Sequence, residues 1–169
     1  VKEVKPVEGR MELIKAKQNF SVIIDYCQHI NNYEQIFEFV DSVRQNKGRL
    51  IAVLGAPGKR NYKMRREIGK VANKYLDHVI LTQLDDRGEN VYDICKTIQA
   101  EIVDISSVII PSRQVAIEQA IEIACKDDII LILGKGHEKF ISLEVGHVDY
   151  PGDSTIVKEA IGRIYGEND

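Results

Sequence analysis

Residues 129–138 read IILILGKGHE, and the rest of the chain is organised around them. Ile129–Leu133 is a run of branched apolar residues, the composition of a strand covered on both faces in a parallel sheet. The run stops at Gly134-Lys135-Gly136, where glycine permits a tight bend and close approach of backbone to a ligand. His137 and Glu138 follow. In open α/β sheets ligands bind beyond the carboxyl ends of the strands, so these polar residues are delivered where such a fold does its chemistry.

Working outward, the same alternation recurs. Ser112 is expected to cap a helix with Ala116, Ile117, Ala120, Ile121 and Ala124 inward, preceded by a short strand, Val108–Ile110. Asn90 caps a helix whose inward positions are Val91, Ile94, Cys95 and Ile98. The strand His78–Thr82 comes before it. A helix from about Lys63 buries Ile68, Val71, Ala72 and Tyr75, and Arg49–Leu54 is a strand. Asn31 or Asn32 caps a helix with Ile36, Phe39, Val40 and Val43 on one face. Arg10–Ala16 and Phe20–Asp25 read as strands joined by Lys17-Gln18-Asn19. Beyond Glu138, Lys139–Asp149 reads as a short strand or hairpin. Asp153 caps the last helix, with Val157, Ala160, Ile161 and Ile164 inward. Helices alternating with apolar strands imply an α/β domain with a largely parallel sheet and helices on its faces.

Composition sets bounds. The chain has 169 residues, enough for one domain over positions 1–169, with 44% apolar and 29% charged residues. A net charge of −3 offers no global field for nucleic acid or an anionic membrane. No apolar run reaches the ~20 residues of a membrane span, and Val1–Gly9 is not a signal peptide. A start on Val1 suggests a fragment. Cys27, Cys95 and Cys125 form no CxxC and cannot all pair, which fits a reduced, cytoplasmic setting. Cys95 and Cys125 are expected to be buried as small hydrophobes.

Four loops should gather on one sheet edge, after Asp25, Leu54, Thr82 and Leu133. They carry Asp25, His29, Lys59, Arg60, Lys63, Arg65, Asp85, Asp86, Arg87, Lys135, His137 and Glu138. Opposed acids and bases suit a zwitterionic or phosphorylated ligand, since arginine holds carboxylate or phosphate and a carboxylate holds an amine. Solvated loop charge is the plain alternative for any one of them. Gly55–Arg60 (GAPGKR) is not a phosphate loop: its glycines are three apart, and Arg60 stands where a magnesium-ligating hydroxyl is needed. The four histidines lack metal-ligand spacing, so no metal site is expected. His78 reads as structural. Neither a G-x-S-x-G elbow nor a G-x-G-x-x-G fingerprint occurs.

As a set, Gly9-Arg10-Met11-Glu12, Val22–Tyr26 (VIIDY), Gly55–Arg60, Thr82–Arg87 and Gly134–Glu138 resemble the carboxyl-terminal domain of the Mur ligases, nearest the tripeptide-synthetase branch. The resemblance runs from Gly9 to the final helix. It implies a Rossmann-like three-layer domain, with a mostly parallel six-stranded sheet, one antiparallel strand and helices on both faces. It also implies a fragment of a three-domain ligase whose amino-terminal and central ATPase domains lie elsewhere. Such ligases activate a carboxylate as an acyl phosphate with ATP, and the amine of an amino acid then attacks. The implied cofactors are ATP and Mg, bound mainly by the central domain. The implied substrates are a UDP-N-acetylmuramoyl-peptide and an amino acid, in peptidoglycan synthesis, and the implied partners are the remaining domains of the same ligase.

Carried over by position, the resemblance places Arg10 and Asp25 near the nucleotide. It places Arg60, Arg87, Gly134 and Glu138 at the amino acid. His29, Asp85, Lys135 and His137 are expected to support these from behind, and no catalytic residue is expected in the fragment. The chain departs from the family pattern in three loops. DNPR has become Leu84-Asp85-Asp86-Arg87, DYAHTP has become Asp25–Ile30 (DYCQHI), and GDRD has become Gly58-Lys59-Arg60-Asn61. These departures weigh against diaminopimelate and leave lysine, another amino acid or a divergent substrate open. A folylpolyglutamate- or cyanophycin-synthetase type of ligase domain is the alternative within the class. A non-catalytic binding module that kept the fold is the alternative outside it.

Overall fold

The computed structural model describes residues 8–15, 18–44 and 47–166. The opening stretch to Val7 and the expected strand end and turn at Ala16 and Lys17 lie outside these residues. The elements in order are β1 (Glu12–Ile14), β2 (Ser21–Asp25), α1 (Ile30–Val43), β3 (Leu50–Leu54), α2 (Tyr62–Tyr75), β4 (His78–Leu81) and α3 (Val91–Gln99). They continue with β5 (Ser106–Ile109), α4 (Arg113–Glu122), β6 (Ile129–Leu133), β7 (Phe140–Ser142), β8 (His147–Asp149) and α5 (Asp153–Tyr165).

The apolar run 129–133 is β6, and it lies inside the sheet. Strand order is β1-β2-β6-β3-β4-β5, with β7 and β8 forming a separate hairpin. β1 runs antiparallel to β2, and the other sheet pairings are parallel. The pleat sends Ile130 and Ile132 to one face with Val22, Ile24, Ile51, Val53 and Ile80, where α4 and α5 cover them. Leu131 and Leu133 face the other way with Leu50, Ala52, Leu54, Val79 and Leu81, beneath α1, α2 and α3. This is the expected three-layer α/β domain. Among the described residues no helix is long and apolar enough to cross a membrane.

Several local readings change. In α1 the buried residues are Tyr33, Ile36, Phe37 and Val40, whereas Phe39 and Val43 are 54% and 53% exposed. Two stripes of identical spacing compete in this helix, and the one with two aromatic rings buries more area. His29, not Asn31 or Asn32, precedes the helix, and it makes no capping bond. In α5, Ile156 replaces Ile164 on the buried face, and Ile164 is exposed. Val71 and Tyr75 are only partly buried against the core, and Ala124 lies past the end of α4. β5 begins two residues before Val108. Cys27 and Cys95 are buried and Cys125 is exposed, because Cys125 follows α4 rather than lying on its inner face.

Asp153 is not a cap. Gly152 holds that position with φ 95°, and Asp153 is wholly buried inside the first turn. Arg113, at the start of α4, holds its carboxylate in a bidentate pair at 2.8 Å through Nε and 2.8 Å through Nη2. Tyr150 donates its hydroxyl to the same carboxylate at 2.6 Å. Arg113 also donates to the carbonyl oxygens of Leu133, the last residue of β6, and Gln83, two residues beyond the end of β4. The buried pair thus fixes the carboxyl ends of β4 and β6 from the α4–α5 side.

Removing one member of a fully buried pair strands the other charge. Asp153→Ala is expected to cost about 3–5 kcal/mol, and Tyr150→Phe about 1 kcal/mol, read as shifts of the urea unfolding midpoint.

Candidate functional site

Parallel neighbours put the carboxyl ends of β2, β6, β3 and β4 side by side, so the loops following them meet on one edge. They pack backbone to backbone. Gly9 (φ 69°) lies against the Gly134–Glu138 loop so closely that a Cβ on it would stand 2.2 Å from the amide nitrogen of His137. That contact brings Arg10 beside the strand-end motif from far upstream. Gly58 donates its amide to the carbonyl of Asp85 at 2.7 Å, joining the β3 and β4 loops.

Lys135 lies at the centre. It is wholly buried, and its ammonium contacts the carboxylate of Asp85 at 3.0 Å and that of Glu138 at 2.6 Å. The ring of Phe140 lies 4.7 Å from it on another side. Asp85 accepts in addition from the amide of Ser142 at 2.9 Å, and its second oxygen lies 4.0 Å from the guanidinium of Arg87. Glu138 accepts from the hydroxyl of Tyr26 at 3.0 Å. The Tyr26 hydroxyl is pushed up in pKa by burial and by this carboxylate. Arg10 and His137 lie against the Tyr26 ring, with centroid distances of 5.2 and 5.6 Å. A continuous series therefore runs Arg10, Tyr26, Glu138, Lys135, Asp85, Arg87.

Two openings flank this series. One is a cavity of about 140 Å³ lined by His29, Arg60, Asp85 and Arg87, with Gln28, Tyr33, Asn61, Met64, Pro57 and Leu84. Arg60 is exposed at it. Nη1 of Arg87 is buried and has no hydrogen-bond partner among the described residues. Asn61 (φ 45°) and Arg87 (φ 50°) are held in the left-handed region. Each such residue costs on the order of 1 kcal/mol or more, so the loops are fixed by their surroundings rather than by local preference.

The other opening is a cleft of about 510 Å³ lined by Arg10, Met11, Asp25, Asn32, Gln35, Ile36 and Phe39. The exposed ring of Phe39 is part of this wall. Asp25 accepts from the amides of Met11 and Cys27 at 2.9 and 2.8 Å, so its carboxylate fixes the turn that presents Arg10.

The structure thus groups His29, Arg60, Asp85 and Arg87 in one cavity, and Arg10 with Asp25 in another. Glu138 and Lys135 lie between them. At Gly134 (φ 108°) a Cβ would stand 2.7 Å from Leu84, so glycine makes room for this side chain. The Gly134 carbonyl accepts from Gln28 at 3.4 Å. Arg65, one of the loop charges, is buried instead in a two-point pair with Glu89, at 2.6 and 2.7 Å, and donates to the Pro57 carbonyl. Hydrogen bonds from Arg65 hold the Glu89 carboxyl down to about 2. Lys59 pairs with Glu144 at 2.7 Å. Glu89, Tyr33, Gln28 and the Arg113–Asp153 pair join the site or its support without being among the residues expected there. For Glu89 a signal existed, since Lys59 and Arg65 lie on a facing loop and helix start. The others carry no local signal.

A three-layer α/β domain with a mostly parallel six-stranded sheet and arginines gathered beyond its strand ends is Rossmann-like, and its ligand-binding edge is the carboxyl end of that sheet. The family model described as "Mur ligase, glutamate ligase domain" matches residues 9–136, and the chain belongs to this family. The UDP-N-acetylmuramyl-tripeptide synthetase of Treponema denticola is 37% identical over 94% of this chain and 31% of its own length. The UDP-N-acetylmuramoyl-L-alanyl-D-glutamate–2,6-diaminopimelate ligase of Aquifex aeolicus is 39% identical over 92% of this chain and 32% of its own. A solved structure of a ligase with this second name superposes with TM-score 0.82 at 25% identity, covering 96% of this chain and 33% of that one. The chain spans about a third of the length of these relatives.

Two tests follow from this geometry. With a folded-state pKa about 2 against an ordinary value of 4.5, Glu89 stabilises the fold fully above pH 4.5 and loses that contribution as pH falls towards 2. Glu89→Gln is therefore expected to lower stability at pH 7 and to close most of the gap to wild type by pH 3, measured by urea unfolding at both values. Lys135→Met removes the ammonium between Asp85 and Glu138 and leaves Asp85 only the more distant Arg87 as a counter-charge. It is expected to destabilise by about 3–5 kcal/mol, and Lys135→Met with Glu138→Gln to recover part of that loss.

Proposed function

We propose that this chain is the amino-acid-binding, closure-completing domain of an ATP-dependent ligase that adds an amino acid to a UDP-N-acetylmuramoyl-peptide in peptidoglycan synthesis. The observation that carries the reading is the separation of the two openings. Arg60 and Arg87 meet in one cavity beside Asp85, while Arg10 faces a second cleft on the far side of Tyr26 and Glu138.

An amide-forming ligase needs both. The arginines of the cavity suit the carboxylate of an incoming amino acid, and a guanidinium can hold both of its oxygens. Arg10, presented on the turn that Asp25 fixes, suits a phosphate or ribose oxygen of ATP. When bound, ATP with Mg would supply the phosphoryl group that activates the carboxylate of the UDP-muramoyl-peptide, with ADP as the leaving group. Mg takes oxygen donors, and among the described residues no three His, Cys, Asp or Glu side chains converge to hold a metal ion. In this reading the ion belongs with the ATPase domain. The domain's own work is to orient the amine, neutralise the carboxylate and exclude water on closure. Glu138, tied to Lys135 and Tyr26, links the two openings and lies within the face that closure would cover. This reading carries a cytoplasmic location with it.

The test uses the ligase that carries this domain, supplied with UDP-muramoyl-dipeptide, ATP and candidate amino acids, with phosphate release as the readout. Arg60→Ala is expected to raise KM for the amino acid by about 10- to 100-fold, with KM for ATP changed less than threefold. Equal shifts in both constants, or none, would remove Arg60 from the amino-acid site.

A further inference from the structure

The cavity beside Arg60 contains two donor groups that the protein leaves unanswered. One is Nη1 of Arg87. The other is the hydroxyl of Tyr33, which is wholly buried, lines the cavity and has no hydrogen-bond partner among the described residues.

Tyr33 sits in the first turn of α1, its ring edge-on to that of Phe37 with centroids 6.1 Å apart. Phe37, one turn on, fills the same apolar layer without a hydroxyl. Phenylalanine at 33 would keep this packing and avoid the cost of burying an unsatisfied polar group. Packing therefore does not account for the hydroxyl. Burial raises its pKa well above the ordinary tyrosine value, so it stays protonated and available to donate.

Both unanswered groups are donors, and their complement is an acceptor. Asp85 is the one carboxylate among the residues lining the cavity, and its charge is already offset: Oδ1 accepts from Lys135 and the Ser142 amide, and Oδ2 lies 4.0 Å from Arg87. With Asp85 neutralised, Arg60 and Arg87 leave the cavity with surplus positive charge. A carboxylate has the charge and the two oxygens that this arrangement lacks.

We propose that Tyr33 is a specificity residue of the amino-acid site, its hydroxyl donating to one oxygen of a carboxylate on the incoming amino acid while Arg87 Nη1 donates to the other. The proposal rests on the reading of the cavity given above and adds to it a residue on α1, a different element from those carrying the arginines. It also orients the ligand: the carboxylate lies inward against α1, and the rest of the amino acid extends towards the open side.

Calorimetric titration of the ligase that carries this domain with L-lysine, L-ornithine and meso-diaminopimelate tests this, with L-lysinamide, in which the carboxylate is a neutral amide, as the control. Tyr33→Phe is expected to weaken binding of the amino acid by fivefold or more. It should leave any binding of lysinamide unchanged, and leave the ligand-free melting temperature equal to wild type or higher. Weakening of less than fivefold overturns the proposal. So does a clear drop in the ligand-free melting temperature, which would show that the hydroxyl already has a partner. If Arg87→Gln abolishes binding while Tyr33→Phe does not, the Tyr33 proposal fails and the cavity reading stands. If no amino acid binds wild type, or Arg60→Ala and Arg87→Gln bind normally, the cavity reading itself fails and Tyr33 falls with it.

Discussion

An ammonium with no exposure to water has to be answered by the protein, and the strand-end face of this domain is arranged around that requirement. Lys135 leaves the central strand at the bend of Gly134 and turns back under Phe140, where it can reach only what the neighbouring loops bring. Those loops bring Asp85 from the end of β4 and Glu138 from the next turn of the same loop. Desolvating a lone charge costs several kcal/mol, so each carboxylate is needed in place for the others to be stable. The loop positions are set by this balance as much as by the sheet beneath them.

From the opposite face, Arg113 performs a related task. Its guanidinium is committed to Asp153, and the remaining donors hold the carbonyls of Leu133 and Gln83. The bends after β4 and β6 are therefore gripped from both sides of the sheet. Such a grip suits the proposed role of orienting an amino acid. Arg87, in the left-handed region, is tied there by its amide bond to the Ser142 carbonyl and by its contact with Asp85.

Much of this was legible in the sequence, and the boundary of legibility has a cause. Ile129–Leu133 announced a two-face-buried strand because the apolar run is too short for a helix, is rich in isoleucine and stops at a glycine bend. The family motifs marked Arg60, Arg87 and Asp85, and the fold does bring them together. What periodicity could not resolve was the choice between the Tyr33 and Ile36 stripes of α1, since both satisfy the helical repeat and only the shape of the neighbouring sheet decides. Nor could it show that Asp153, at a position where aspartate usually caps, is instead drawn into the core. Its partner Arg113 is 40 residues away, and pairing at that range leaves no local trace. Lys135 was visible as a loop charge, but its complete burial was not, because burial depends on loops contributed by other strands.

The series Arg10, Tyr26, Glu138, Lys135, Asp85, Arg87 has a consequence for how this surface can change over time. From Tyr26 to Arg87 its neighbours are matched in charge or hydrogen-bonding sense, so a single replacement in the middle leaves an unmatched partner in a water-poor place. Drift at Lys135, Glu138 or Asp85 is therefore blocked one step at a time and open only through compensated pairs. Arg60, exposed at the rim and outside the series, carries no such constraint. A lineage could alter the ligand preference of the cavity from its rim and from α1 while the central residues of the strand-end motif stayed fixed, and the motif would then report the fold and the reaction class more faithfully than the substrate.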